Sequence, residues 1–247
     1  MVVASSRNRL TALVSTDLMQ SISEKLSFKP FDERAPVRIY RNAFVPHLRQ
    51  SGCTYFVTFR LADSIPKSVL LEWKTERWSW LKARGIDVEA EGWRGKFESL
   101  SDQDKRTFER SYAKRLFEEL DKCHGDNSLK HPNVSAEVVG AIQFFDGDRF
   151  DLGDFVIMSN HVHMLMTPLG EFQLEDILHS IKSYSANRIN RLLSRDGSFW
   201  MAESYDRLVR DGEELVRTQN YIRSNPAKVG LKEGDFVQQE ASFEIDA

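Results

Sequence analysis

Cysteine is scarce. The 247 residues contain two, Cys53 and Cys123. Two cannot build a disulfide framework, so a reducing, cytoplasmic compartment is expected. No apolar run is long enough to span a bilayer, so no membrane segment is expected. The opening stretch MVVASSRNRLTALVS lacks a long apolar core and a convincing cleavage site, and reads as an arm or docking helix rather than a signal peptide. Internal repeats and low-complexity tracts are absent. Positive charge is also in short supply: the net charge is −3 and the pI about 6.1. That counts against a surface built throughout for nucleic acid.

The charge that is present is unevenly spread. Residues 179–232 hold ten Lys/Arg against six Asp/Glu, so this stretch is +4 and the remainder −7. Such asymmetry suits a polyanion-binding half, and equally a solvated helical face. Hydrophobic residues make up 41% of the chain, enough for a substantial core. The expected organisation is an N-terminal arm (1–35), a single domain (36–232) with a helical insertion at about 62–132, and a C-terminal tail (233–247).

Within that domain TYFVTFRL (54–61) reads as a strand. Residues 67–84 read as a helix, and residues 101–122 as an amphipathic helix capped by Ser101. Residues 135–145 read as another helix. Strands at 149–158 and 161–167 flank a tight Ser159-Asn160 turn and form a hairpin. The helix over 174–193 puts Leu174, Ile177, Leu178, Ile181, Ser185 and Leu192 on one face, with Tyr184 on or beside it. A last helix over about 212–224 begins at Asp211 with Glu214 as in a capping box, and Pro226 is expected to close it. Interleaved strands and helices with an antiparallel hairpin imply an α+β fold, an antiparallel sheet with helices packed on one face. The other face is then open to a substrate.

The chain has six histidines, and two of them lie in SNHVHMLMTP (159–168). Alternation along a strand turns His161, His163 and Leu165 to one face. The α-carbons of the two histidines are then roughly 7 Å apart, a spacing that suits two ligands converging on one metal ion. Cys123, His124 and His131 form a second candidate metal cluster, but their spacing fits no common zinc pattern and a polar loop is the simpler reading. On the last helix, taking Leu215, Val216 and Ile222 as the apolar face turns Tyr221 about 150° from its centre. Asn225 follows four residues later on the same side. A hydroxyl and an amide project together there, as they also would in an exposed tyrosine and a C-terminal asparagine cap.

VIMSNHVHMLMTP, IKSYSANRIN, FWMAESYDRLVRD and YIRSNPAKVGL occur in this order, after YFVTFRLADSIP. Together they resemble the single-tyrosine HUH transposases, in particular the REP-associated tyrosine transposases, over about residues 36–232. The resemblance implies a ferredoxin-like, RRM-like HUH fold and identifies His161, His163 and Asn225 as metal ligands and Tyr221 as the nucleophile. It implies Mg²⁺ or Mn²⁺ as cofactor and single-stranded DNA, in hairpins or palindromic repeats, as partner. The reaction would be cleavage and strand transfer through a 5′-phosphotyrosine, with the ion acting as a Lewis acid. A homodimer in which Tyr221 serves the partner's site stays open. Three features depart from the family pattern: Ser159 in place of a proline, the long 62–132 region, and the acidic pI.

Arg188, Arg191, Arg207, Arg210, Arg217 and Lys228 are candidates for phosphate contacts. Phe199, Trp200 and the segment around Arg38, Tyr40 and Arg41 are candidates for stacking on or clamping bases. Two competing expectations remain. One is a metal-dependent phosphoesterase with water as nucleophile and Asp148 or Asp154 as an added ligand. The other is a non-catalytic single-strand-binding module.

Overall fold

The computed structural model describes residues 25–42 and 45–244. Along the chain run β1 (Leu26–Ser27), β2 (Arg38–Asn42), β3 (Val45–Arg49), β4 (Tyr55–Arg60), α1 (Lys67–Lys82), α2 (Trp93–Glu98) and α3 (Asp102–Leu120). A 3₁₀ turn (Ser128–Lys130) leads to α4 (Pro132–Gln143), β5 (Phe150–Ile157), β6 (His161–Pro168) and α5 (Leu174–Leu192). Then follow β7 (Tyr205–Leu208), α6 (Gly212–Lys228), β8 (Val237–Gln239) and β9 (Phe243–Glu244).

The frame is a five-stranded sheet in the order β7-β4-β6-β5-β8, antiparallel at every pairing. Its central strands are rich in aromatic and branched side chains, which suit a pleated, covered surface. In β4, Tyr55, Val57 and Phe59 point to one face and Phe56, Thr58 and Arg60 to the other, and all six are buried. The first set joins Val162, Met164 and Met166 of β6 and Leu152, Phe155 and Ile157 of β5 beneath α4 and α5. The second set faces α6. Gly153 sits where β5 bulges, and a Cβ there would lie 2.7 Å from the Phe243 ring and 2.8 Å from Leu165. Only glycine lets β5 and the C-terminal segment approach so closely.

The α+β class therefore holds, with one addition to its layering. α4 and α5 cover one face as expected, but the other face is not open. α6 lies across it with Leu215 and Ile222 fully buried against Phe56, Val156 and Leu165. Each of those two side chains contributes about 1.5–3 kcal/mol by leaving water. The end of α3 joins them through Phe117.

Helix ends follow local chemistry. The Ser101 hydroxyl accepts from the Asp104 N–H at 3.1 Å, and the Asp211 carboxylate from the Glu214 N–H at 2.7 Å. The return bond of Glu214 goes to the Arg210 N–H at 3.1 Å, one residue before the cap. Pro226 does not close α6, which continues to Lys228. Proline there removes one helical bond, yet Ile222, Asn225 and Pro226 are all buried and hold the last turn against the sheet. On α5 the apolar face ends in Ile189 rather than Leu192, which is 45% exposed in the final turn. Tyr184 lies about 90° from the centre of that face and is 54% exposed, so it is not a core residue.

The helical region between β4 and α4 carries small cores of its own, around Trp73, Leu116 and Leu120 and around Leu81, Phe97 and Phe108. Residues 233–244 are more than a tail. β8 pairs with β5 as a sheet edge and β9 pairs in parallel with β1. Alternating apolar side chains too few to register as a strand pattern explain why sequence reading passes over both. Residues 1–24 of the expected arm lie outside the described residues. No helix of the described residues is long and apolar enough to cross a membrane.

Candidate functional site

The β5–β6 hairpin and its neighbour β4 fix the two histidines. The register sets Thr58 opposite His163 and Arg60 opposite His161. His163 Nδ1 lies 2.6 Å from the Thr58 hydroxyl, and His161 Nδ1 lies 2.7 Å from Asn160 Oδ1. The remaining ring nitrogens face each other, Nε2 to Nε2, at 3.0 Å. Both histidines are fully buried.

These contacts assign protons. The Asn160 Nδ2 group donates to the carbonyls of Leu120 (3.4 Å) and His124 (3.3 Å), so its Oδ1 faces His161. An amide oxygen only accepts, so His161 carries its proton on Nδ1 and presents a lone pair at Nε2. His163 then donates from Nε2 to that lone pair and accepts from Thr58 at Nδ1. A hydroxyl can donate or accept. Thr58 therefore also supports the other tautomer, in which both Nε2 atoms present lone pairs to a common ion. Burial holds His161 down to about 3, and burial, then His161 and the Lys228 charge, holds His163 well below the usual histidine range. Both rings are neutral at physiological pH, as a metal ligand must be.

α6 brings the second half of the site. The Tyr221 hydroxyl lies 3.4 Å from His163 Nε2. The ring of His163 stacks on Phe56 at 5.4 Å and meets Phe117 edge-on at 5.5 Å, and the Tyr221 ring touches both phenylalanines. Tyr221 therefore does not point away from the core. Val216 is 45% exposed and does not belong to the buried face. With Glu214, Leu215, Ile222, Asn225 and Pro226 defining that face, Tyr221 sits about 80° from its centre, at the rim. Burial, then the Asp121 carboxylate, pushes its pKa well above the usual tyrosine value. Asn225, one turn on, is fully buried beside the Tyr221 hydroxyl, and among the described residues neither Nδ2 nor Oδ1 reaches a partner at hydrogen-bond distance.

Can this set hold a metal? Two adjacent ligands about 2.1 Å from one ion stand about 3.0 Å apart at a right angle, and the two Nε2 atoms are 3.0 Å apart. Asn225 offers an unsatisfied buried oxygen. Among the described residues no three His, Cys, Asp or Glu side chains are grouped to hold a metal. A third protein ligand would then be an amide oxygen, with further positions for phosphate oxygen or water. Oxygen donors suit Mg²⁺ and Mn²⁺, whereas imidazole suits softer ions. The Cys123, His124 and His131 cluster is not formed. His124 pairs instead with Glu119 at 3.3 Å.

The expected DNA contacts do not converge. Arg188 and Arg191 lie on α5, behind the sheet from the histidines, and Arg188 is paired with Glu137 at 2.7 Å. Arg207 pairs with Glu214, Arg217 with Glu213, and Lys228 with Asp121. Lys228 alone of the six lies over the Tyr221 ring, 5.8 Å from its centre. Arg191 and Arg210 are exposed, without an ion pair among the described residues. Phe199 and Trp200 are core residues rather than base stackers, and the Trp200 indole donates to Ser185 at 2.9 Å. Arg38 is occupied by Gln173 and Glu175, and the Arg41 side chain lies outside the described residues.

Residues 138–225 match the family model described as Transposase IS200 like. Over these residues the chain is similar to the IS200-like transposases. The matched stretch carries both histidines, Tyr221 and Asn225, and excludes β4 and the helices before α4. The chain also aligns with the structure of a REP-associated tyrosine transposase bound to a REP hairpin. The TM-score is 0.39 at 14% identity, over 78% of this chain and 75% of that one. No curated protein matches it. Sequence reading missed Thr58, Asn160, Phe56, Phe117 and Asp121. Asn160 was visible as a turn residue beside the histidines. The others come from distant segments and appear only once strands and helices are paired.

Proposed function

We propose that this protein is a transposase that cuts and rejoins single-stranded DNA at hairpin or palindromic repeats, with Tyr221 as nucleophile. The observation that carries the reading is the Tyr221 hydroxyl 3.4 Å from the buried His161–His163 pair of its own chain. That arrangement needs no second copy of the protein. Tyr221 Oη attacks phosphorus and the bond from phosphorus to O3′ breaks. The strand ends as a 5′-phosphotyrosine and a free 3′-hydroxyl, the leaving oxygen having taken up a proton. The phosphodiester linkage is conserved, so attack by a 3′-hydroxyl reverses the step without ATP.

His161, His163 and Asn225 are the residues that would hold Mg²⁺ or Mn²⁺, which would polarise a non-bridging phosphate oxygen. The protein's own groups set the conditions. Asn160 and Thr58 orient the imidazoles. Burial and Asp121 keep Tyr221 protonated until positive charge arrives beside it. Phe56 and Phe117 exclude water. The water-nucleophile reading lacks its carboxylate: Asp154 is held by Gln219 and Arg223 at 2.7 and 2.6 Å, and Asp148 is exposed on the turn before β5. The test is incubation of wild type and Tyr221→Phe with labelled hairpin oligonucleotides and Mn²⁺. A denaturation-resistant protein–DNA band from wild type alone supports the reading. Cleavage by both proteins without such a band overturns it.

A further inference from the structure

The sheet edge beside the candidate site opens into a cleft whose other wall is α3. Arg106 and Arg110 project from that wall one turn apart, and Arg210 faces them from the end of β7. All three are exposed and none has an ion pair among the described residues. The floor is aromatic: Tyr112, carrying the Arg77 guanidinium 5.1 Å from its ring centre, and Tyr205. The carboxylates offset part of this charge: Asp206 is bound by Arg49 and His47, and Glu109 lies in the field of Arg210, Arg207 and Arg106. In a chain of net charge −3 the cleft is still a local concentration of guanidinium groups beside two tyrosines.

The cleft adjoins the candidate site across a wall of packed aromatic side chains. Tyr205 touches Phe117 at 5.2 Å and Phe56 at 6.3 Å, and both phenylalanines touch His163 and Tyr221. Arg106 and Arg110 lie outside the residues that match the transposase family, so the α3 wall belongs to the helical insertion, while Tyr205 and Arg210 of the other wall lie within the match. Guanidinium forks bind phosphate, and tyrosine faces stack on unpaired bases.

We propose that the cleft between α3 and β7 is the track that leads single-stranded DNA to Tyr221, with Arg106, Arg110 and Arg210 on its phosphates and Tyr205 beneath its bases. This rests on the reading of the protein as a single-strand transposase. The test separates the two by measuring binding without chemistry. Anisotropy of a labelled hairpin oligonucleotide with a single-stranded extension is followed in EDTA over a salt series. The proteins are wild type, Arg106→Ala/Arg110→Ala, Arg210→Ala, and the control Arg94→Ala/Lys96→Ala, which removes two exposed charges from α2. Alanine favours helix and the arginines replaced on α3 make no ion pair, so folding should persist, which circular dichroism verifies.

Loss of two single-strand phosphate contacts lowers the slope of log affinity against log salt by about 1.4, and lowers affinity in 0.1 M salt by about 25-fold. Arg210→Ala should give about half that change in slope, and the control none. Equal losses in the control, no loss in the α3 double variant, or no DNA binding by wild type overturns the proposal. Displacement of the oligonucleotide by polyglutamate at equal charge overturns it in favour of an acidic protein partner. Adduct formation with Mn²⁺ is scored separately. Binding that follows the cleft without any adduct removes the tyrosine chemistry and leaves the track standing.

Discussion

Replacing Asn225 by leucine should stabilise the protein when no metal is present. Asn225 is fully buried beside the Tyr221 hydroxyl, and among the described residues neither polar atom of its amide reaches a partner at hydrogen-bond distance. A buried group left without a hydrogen bond costs about 1–3 kcal/mol. Leucine has nearly the same reach and no polar atoms, and repacking a shape of this size costs under about 1.5 kcal/mol. Relief of two such atoms, less the repacking cost, leaves a net gain of at least about 0.5 kcal/mol, with about 2–4 °C in Tm for each kcal/mol in a chain of this length. Calorimetry in EDTA measures it. The same variant should lose most of the stabilisation that Mn²⁺ confers on wild type, which is about 2.7 kcal/mol at a hundredfold excess over Kd. A protein that keeps an unsatisfied amide in its interior keeps it for a ligand. Destabilisation of Asn225→Leu in EDTA, or an undiminished Mn²⁺ shift, refutes that reasoning.

Three further outcomes are expected. Arg223→Ala should cost about 3–5 kcal/mol, because it strands the buried Asp154 carboxylate with Gln219 alone. Asp154→Asn should cost less, since Arg223 is partly exposed; a chemical-denaturation comparison that reverses this order contradicts the account of how α6 is held. Thr58→Val should weaken Mn²⁺ binding by about 10–100-fold with little effect on secondary structure, because His163 loses the hydroxyl that supports its ligand tautomer; calorimetric titration checks it. Stability should also fall with acid. Both histidines have folded pKa values below the unfolded value of about 6.5, lowered by burial. The unfolded state therefore binds more protons below that pH. Their contribution is present above about 6.5 and is lost as pH falls, by at most about 2.7 kcal/mol per unit for the two groups. Urea unfolding across that range should show the slope, and His161→Gln should flatten it.

Much of this was legible in the chain. The aromatic and β-branched run of TYFVTFRL marks a strand, and the short turn before HVHMLMTP sets the register of its hairpin. The cap of α6 is visible because Asp211 and Glu214 stand at fixed spacing. What escaped depends on partners distant in sequence. Val216 is apolar but faces solvent, and counting it in the buried face rotated Tyr221 away from the histidines to which it is bound. Phe199 and Trp200 read as exposed stackers because nothing local reveals that Ser185 of α5 waits for the indole. The arginines of α5, β7 and α6 looked like phosphate contacts, yet Glu137, Glu214 and Glu213 neutralise one on each. Composition reports charge, and only packing reports whether it is free.

The central claim is that Tyr221, and not Tyr205 beside it, becomes joined to DNA. The direct measurement is mass spectrometry of a tryptic digest after reaction of wild type with a hairpin oligonucleotide, Mn²⁺ and nuclease trimming. The account predicts that the peptide Thr218–Arg223 carries a nucleotide through a phosphate on its tyrosine. It also predicts that the modified peptide is absent from Tyr221→Phe. An adduct on the peptide containing Tyr205, or strand cleavage with every tyrosine peptide unmodified, contradicts it.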